Sequence, residues 1–170
     1  MGYVKYIEES KQKVYNQSVA TRILDLVDKL RLNSNENDQR RWIWELIQNA
    51  KDVAFDNQPV SICVDLVESG VETVTFRHNG KPFSIDNITF LIEQVSTKER
   101  NAEIKEKNKP TGKFGTEFLT THLLAETVEV DSVVKEKDLP FKKFRLLLDR
   151  SGSEIDDVIR SVNTSLEILK

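Results

Sequence analysis

From Val19 to Leu32 the apolar positions Val19, Ile23, Leu24, Val27, Leu30 and Leu32 recur at roughly helical spacing. Residues 3–32 hold neither proline nor glycine, so the pattern predicts helix across this stretch, in two segments. Positions 33–38, NSNEND, are turn formers, and Asn37 or Asp38 is placed to cap a second helix over 39–55 by accepting from its free amides. Residues 60–67 alternate and then run apolar with β-branched side chains, as a strand does. Glu68, Ser69 and Gly70 turn the chain into a second strand over 73–77, making a hairpin that ends in the loop His78-Asn79-Gly80-Lys81-Pro82. A short helix follows over 85–95, then a polar, lysine-rich segment over 96–111. Gly112 and Gly115 open a helix that continues to Leu124. Strands over 127–134 and 141–148 flank a turn at Asp138-Leu139-Pro140, and Ser153 is placed to cap a final helix over 154–169.

Helices, hairpin, helix, hairpin and helix in that order imply an α+β layer structure in which helices cover a mixed sheet. At 170 residues, one domain is expected, residues 1–32 forming a helical extension and 96–111 a loop long enough to serve as a lid or binding loop. Apolar residues make up 38% and charged residues 31%, enough of each for a folded, hydrated chain. A net charge of -3 gives no general attraction to nucleic acid or anionic lipid. No stretch reaches the roughly 20 apolar residues of a membrane span, and the first residues lack a secretory core, so a cytoplasmic chain without a membrane partner is expected. The lone Cys63, within VSICVDLV, reads as a buried, inert thiol in a reducing compartment. The chain stops directly after Leu166, Ile168 and Leu169, which suggests the N-terminal fragment of a longer protein.

On the second helix, Glu45, Asn49, Asp52 and Asp56 are spaced i, i+4, i+7 and i+11 and share one stripe, opposite Ile43, Leu46, Ile47, Ala50 and Ala54. Such a stripe is either a solvated face or a site where an acid and an amide hold magnesium and water, since hard cations prefer oxygen ligands. Trp42 and Trp44 flank it and are expected to pack. His78 and His122 lack metal-ligand spacing with Cys63, and His122 reads as a packed core histidine.

Positions 45–52, ELIQNAKD, resemble the E-x-x-x-N-x-x-D box of the GHKL ATPases, the superfamily of heat-shock chaperones, type II topoisomerases, MutL-like repair proteins and histidine kinases. The segment Phe76-Arg77-His78-Asn79-Gly80-Lys81-Pro82-Phe83 occupies the place of that family's D-x-G-x-G loop, with Gly80 at its first glycine, His78 at the Asp, and Pro82 at the second glycine. Gly112-Lys113-Phe114-Gly115-Thr116-Glu117-Phe118 resembles the chaperone G-x-F-G-x-G-F segment with Glu117 at the last glycine, and Ser96-Thr97-Lys98 resembles the S-K element before the lid of MutL-like members. In motif the chain is most similar to the ninety-kilodalton heat-shock chaperone and sacsin-like ATPases.

The resemblance implies a Bergerat-type two-layer α/β sandwich, with a mixed, mainly antiparallel sheet and helices on one face. It implies ATP and Mg2+ as cofactors, with Glu45 as the general base for water, Asn49 as the magnesium ligand, and Asp52 in the nucleotide pocket. At the base, a neutral His78 nitrogen or the Asn79 carbonyl can accept the adenine amino hydrogen, and Gly80 lets the backbone approach. Lys98, Gly112, Lys113, Phe114, Gly115 and Thr116 are then the phosphate-side residues, because glycines before a helix free backbone amides for phosphate oxygens. The implied reaction is ATP hydrolysis coupled to lid closure and to homodimerisation, a protein client or nucleic acid being engaged through other domains. The Glu at position 45 sets the chain apart from the histidine kinases. Two alternatives stand beside it: a nucleotide-sensing or scaffold module that binds without useful turnover, and an interaction domain that binds no nucleotide.

Overall fold

A computed structural model describes residues 3–32, 40–94 and 118–169. Among these are four α-helices, α1 (Val4–Leu32), α2 (Arg41–Asp52), α3 (Ile85–Glu93) and α4 (Ile155–Glu167), one 3-10 helix, η1 (Phe118–Leu123), and four strands, β1 (Ile62–Ser69), β2 (Val71–His78), β3 (Thr127–Val134) and β4 (Lys142–Asp149). The fold is thus mixed helix and strand. Its strands form two antiparallel pairs, β1 with β2 and β3 with β4.

The core lies on one face of the β3–β4 pair. Phe144, Leu146 and Leu148 alternate inward along β4, and they meet Val19, Ala20, Ile23 and Val27 of α1, Ile88, Leu91 and Ile92 of α3, and Val158 and Val162 of α4. The opposite face carries the Glu129 to Arg145 ion pair, 2.7 Å across the strands. Phe83, in the loop after β2, makes a parallel bridge to Val134 and sets its ring edge-on to Phe144 at 5.7 Å.

Helix α1 is continuous, where two segments were expected. Its first half has no buried face, but its Lys, Glu and Gln are good helix formers and no breaker interrupts them, so the anchored second half extends it. Helix α2 ends at Asp52 rather than Phe55. The Val53 carbonyl accepts Lys81 N at 2.7 Å instead of continuing the helical ladder, and Asn57 then turns with φ 61°. The residue at its N-cap position is Arg40, without a side-chain cap, and Asn37 and Asp38 lie outside the described residues. For α4 the N-cap is Glu154, not Ser153, and again no side chain caps it.

Helix α3 is capped reciprocally: Ser84 Oγ accepts from Asn87 N, and Asn87 Oδ1 accepts from Ser84 N, both at 3.2 Å. It stops at Gln94, which adopts a left-handed conformation, φ 56°. The segment expected to be a helix after Gly115 is, over its described part, the 3-10 turn η1. The hairpin was expected and is found, with a tighter turn that has Gly70 at φ 82°: β1 is shifted two residues towards it, from 60–67 to Ile62–Ser69, and β2 grows from 73–77 to Val71–His78.

No helix among the described residues is long and apolar enough to cross a membrane.

Candidate functional site

Helix α2 packs onto η1, and its buried residues are Glu45, Asn49 and Ala50. Glu45 is 8% and Asn49 9% exposed, so the acid and amide one turn apart are not a solvated face. Asp52 and Asp56 leave the stripe: Asp52 is exposed at the last turn, and Asp56 lies past the helix end, where Lys81 Nζ reaches it at 3.1 Å. Of the seam expected to enter the core, Ala50 is fully buried, while Ile43, Leu46, Ile47 and Ala54 are only half-buried, because α2 sits at the margin of the core and turns its Glu45–Asn49 side inward. Trp42 is half-buried, but Trp44 is 69% exposed and does not pack as expected.

Arg41 Nε donates to Glu45 Oε1 at 2.8 Å, an i, i+4 pair that orients the buried carboxylate. Asn49 Oδ1 is buried and has no hydrogen-bond partner among the described residues. An orphaned buried acceptor costs about 1–3 kcal/mol, so its retention points to an external partner. An amide oxygen of this kind is the type of donor that hard cations take as a ligand. Among the described residues no group of three His, Cys, Asp or Glu side chains could hold a metal by itself.

The structure brings the box helix and the first glycine loop together at Val53. Val53 N donates to Asn49 O at 3.2 Å, and Lys81 N donates to Val53 O at 2.7 Å. A Cβ on Gly80 would stand 2.6 Å from Val53 Cγ2 and 2.9 Å from Val53 O. Gly80 is therefore required by close approach to Val53 at the end of α2.

Within the loop, Gly80 N donates to His78 Nδ1 at 3.1 Å, and Ser61 N donates to Asn79 Oδ1 at 2.7 Å. Both acceptors expected to receive an adenine amino hydrogen are thus already engaged. Desolvation lowers the His78 pKa below its ordinary 6.5, which keeps the ring neutral. Phe76, on the same strand face, holds its ring 6.2 Å from the imidazole.

Lys98, Gly112, Lys113, Phe114, Gly115 and Thr116, with the expected lid at 96–111, lie outside the described residues. Arg41, Val53 and Ser61 were not singled out by sequence; only Arg41 carried a signal, its position four residues before Glu45.

Two of the remaining candidates separate. His122 is buried in η1, as a core histidine should be, and burial followed by the field of Arg150 lowers its pKa to about 4. Cys63 is exposed, not buried: the β1–β2 pair packs on no other described strand, so its second face stays open and the Cys63 thiol lies beside Asp65.

No family model, curated protein or solved structure matches the chain.

Proposed function

We propose that this chain is a nucleotide-binding domain of the GHKL type, built on a Bergerat-type two-layer sandwich, that binds a magnesium nucleoside triphosphate and hydrolyses it. The observation that carries the reading is Asn49 Oδ1, buried without a hydrogen-bond partner among the described residues and one turn from the buried Glu45. Asn49 would ligate the cation, and the cation when bound would offset charge developing on the transferred phosphoryl group. Glu45, held by Arg41, would orient the attacking water and take its proton on the oxygen that Arg41 leaves free. Val53 ties Asn49 to the Gly80 loop, so cation and base contacts would be registered to each other. Hydrolysis in such a domain would be coupled to homodimerisation, within a chaperone-like or DNA-processing protein whose other domains engage a protein client or nucleic acid.

Calorimetric titration with a nucleoside triphosphate, with and without magnesium, tests binding, and phosphate release from wild type and Glu45→Ala tests hydrolysis. Binding that needs magnesium and is lost in Asn49→Ala, with release abolished in Glu45→Ala, supports the proposal. Absence of binding overturns it.

A second reading, a sensor that binds without useful turnover, is favoured by the Arg41 to Glu45 pair, since that guanidinium already occupies one carboxylate oxygen. It predicts magnesium-dependent binding with phosphate release that does not change in Glu45→Ala.

A further inference from the structure

We propose that the outward side of α2, the line Arg40, Trp44, Gln48 and Lys51, binds single-stranded nucleic acid, with Trp44 as the stacking surface. The four residues are spaced i, i+4, i+8 and i+11. Arg40, at the N-cap position, keeps helical dihedrals (φ -94°, ψ -8°), so all four fall on one stripe of the helix. All four are exposed, whereas Glu45, Asn49 and Ala50, on the other side, are buried. An indole is among the more buried side chains on average, yet Trp44 is 69% exposed.

What stands beside the ring decides what it can hold. Arg40 is one turn before it, Gln48 one turn after it and Lys51 two turns after it. Among the described residues of α2 the exposed acid is Asp52, about a quarter of a turn off this line, and the other acid, Glu45, is buried and paired with Arg41. The line is therefore cationic at both ends and aromatic between them. Its complement is an anion that carries flat apolar groups.

Single-stranded nucleic acid is such a polymer. Its phosphates would meet Arg40 and Lys51, roughly 16 Å apart along the helix axis, an unstacked base would lie on the indole, and Gln48 can both donate and accept at a base edge. A duplex keeps its bases stacked inside and would meet the two cations without the ring. An anionic membrane takes a helix by burying a broad apolar face, and this line holds one large apolar ring. An acidic protein would surround the indole with contacts that exclude water, but charged and amide side chains flank it along the helix. The chain's net charge of -3 opposes attraction at a distance, so binding depends on these local contacts and falls with salt. None of this rests on the nucleoside triphosphate reading.

The test is fluorescence anisotropy of labelled oligothymidylate and oligouridylate, titrated at low salt with the full chain. At least one is expected to bind, and a DNA duplex of the same length about tenfold more weakly. Trp44→Ala is expected to weaken single-strand binding about tenfold, and Trp44→Phe, which keeps a ring, to restore most of it. Changing Arg40 and Lys51 together to Gln is expected to flatten the slope of log affinity against log salt by about 1.4, the amount for two single-strand phosphate contacts. All three positions are exposed, so the variants are expected to fold, and circular dichroism checks it. Failure of both oligonucleotides to bind overturns the proposal, as does a duplex that binds as tightly as they do. So does a folded Trp44→Ala variant that binds like wild type. Displacement by polyglutamate as readily as by unlabelled oligothymidylate would reduce the face to an acidic-protein or general anion site, and sedimentation with phosphatidylserine vesicles in place of oligonucleotide binding would assign it to a membrane; either overturns the proposal.

Discussion

Tyr15, on the partly exposed stretch of α1, donates its hydroxyl to Glu93 Oε2 at 2.5 Å, joining the long N-terminal helix to the end of α3 across 78 residues of sequence. Glu93 is buried, and a carboxylate in the last turn of a helix opposes the helix dipole, so a neighbouring donor has more to offset here than at a surface site. Hydrogen bonds to charged groups contribute about 1.5–3 kcal/mol. Tyr15→Phe is expected to lower unfolding stability by about that amount in urea denaturation, with the m-value unchanged. A loss below about 0.5 kcal/mol would show that the bond adds little to the fold.

Gly80→Ala tests the junction of α2 with the loop. A methyl placed 2.6 Å from Val53 Cγ2 must displace something, and overpacking of this kind costs about 1–3 kcal/mol. Val53→Ala in the same chain should recover part of the loss and not all, because the Val53 carbonyl oxygen, 2.9 Å away, remains. A double-mutant cycle measures the coupling, and strict additivity would mean that the two residues do not touch.

Asn49→Ala separates stability from binding. Its Oδ1 is buried with no hydrogen-bond partner among the described residues, so truncation removes an unsatisfied acceptor together with a few packing contacts. The melting temperature without ligand is expected to hold or rise, while magnesium-dependent nucleotide binding is lost; residues kept for function commonly trade in this direction. A variant that melts far lower would make Asn49 a structural residue.

Acid should weaken the fold in a window set by His122. Burial, reinforced by Arg150, lowers its pKa from 6.5 to about 4, so the unfolded chain binds a proton in that interval that the folded chain refuses. The contribution of neutral His122 is complete above 6.5, declines as the pH falls towards about 4, and flattens below it, a total on the order of 3 kcal/mol. His78, also lowered by desolvation, adds in the same direction, whereas Asp149, held below its ordinary 3.8 by the backbone and hydroxyl of Ser151, acts in a more acidic range. Urea midpoints at about pH 7.5 and about pH 4.5 should differ more in wild type than in His122→Gln. Equal slopes for the two proteins would remove His122 from the account.

Much of the scaffold is legible from the chain because it obeys simple periodicities. The inward run Phe144, Leu146, Leu148 marks β4, and Gly70 between two β-branched stretches marks the hairpin and its register. Asn49 and Gly80, which the resemblance singles out, lie on either side of Val53 in the structure. What could not be read was which side of α2 would be buried. Apolar periodicity favours Ile43, Leu46 and Ile47, but the helix packs on η1, where Thr120, Thr121 and His122 are buried beside Leu119, and its polar side turns inward. Cys63 misleads for the complementary reason: an apolar run reads as buried, yet burial depends on a second layer, and no described strand lies beside this hairpin. Hydrogen-bond direction in the loop after β2 is invisible without coordinates.

Arg150 offers no warning in the sequence and is 2% exposed. Its guanidinium donates to the carbonyls of Ile92 and Asp149 and reaches the Ser161 hydroxyl, which itself donates to Asp149 O at 2.8 Å. Burial lowers its pKa to about 10, still far above neutrality, so the charge persists in the interior. Hydrogen bonds from this cation to neutral acceptors on three elements fasten the end of α3, the end of β4 and the first turns of α4 to one point. In hydrogen exchange these three segments should therefore open together, as one cooperative unit, rather than fray one by one.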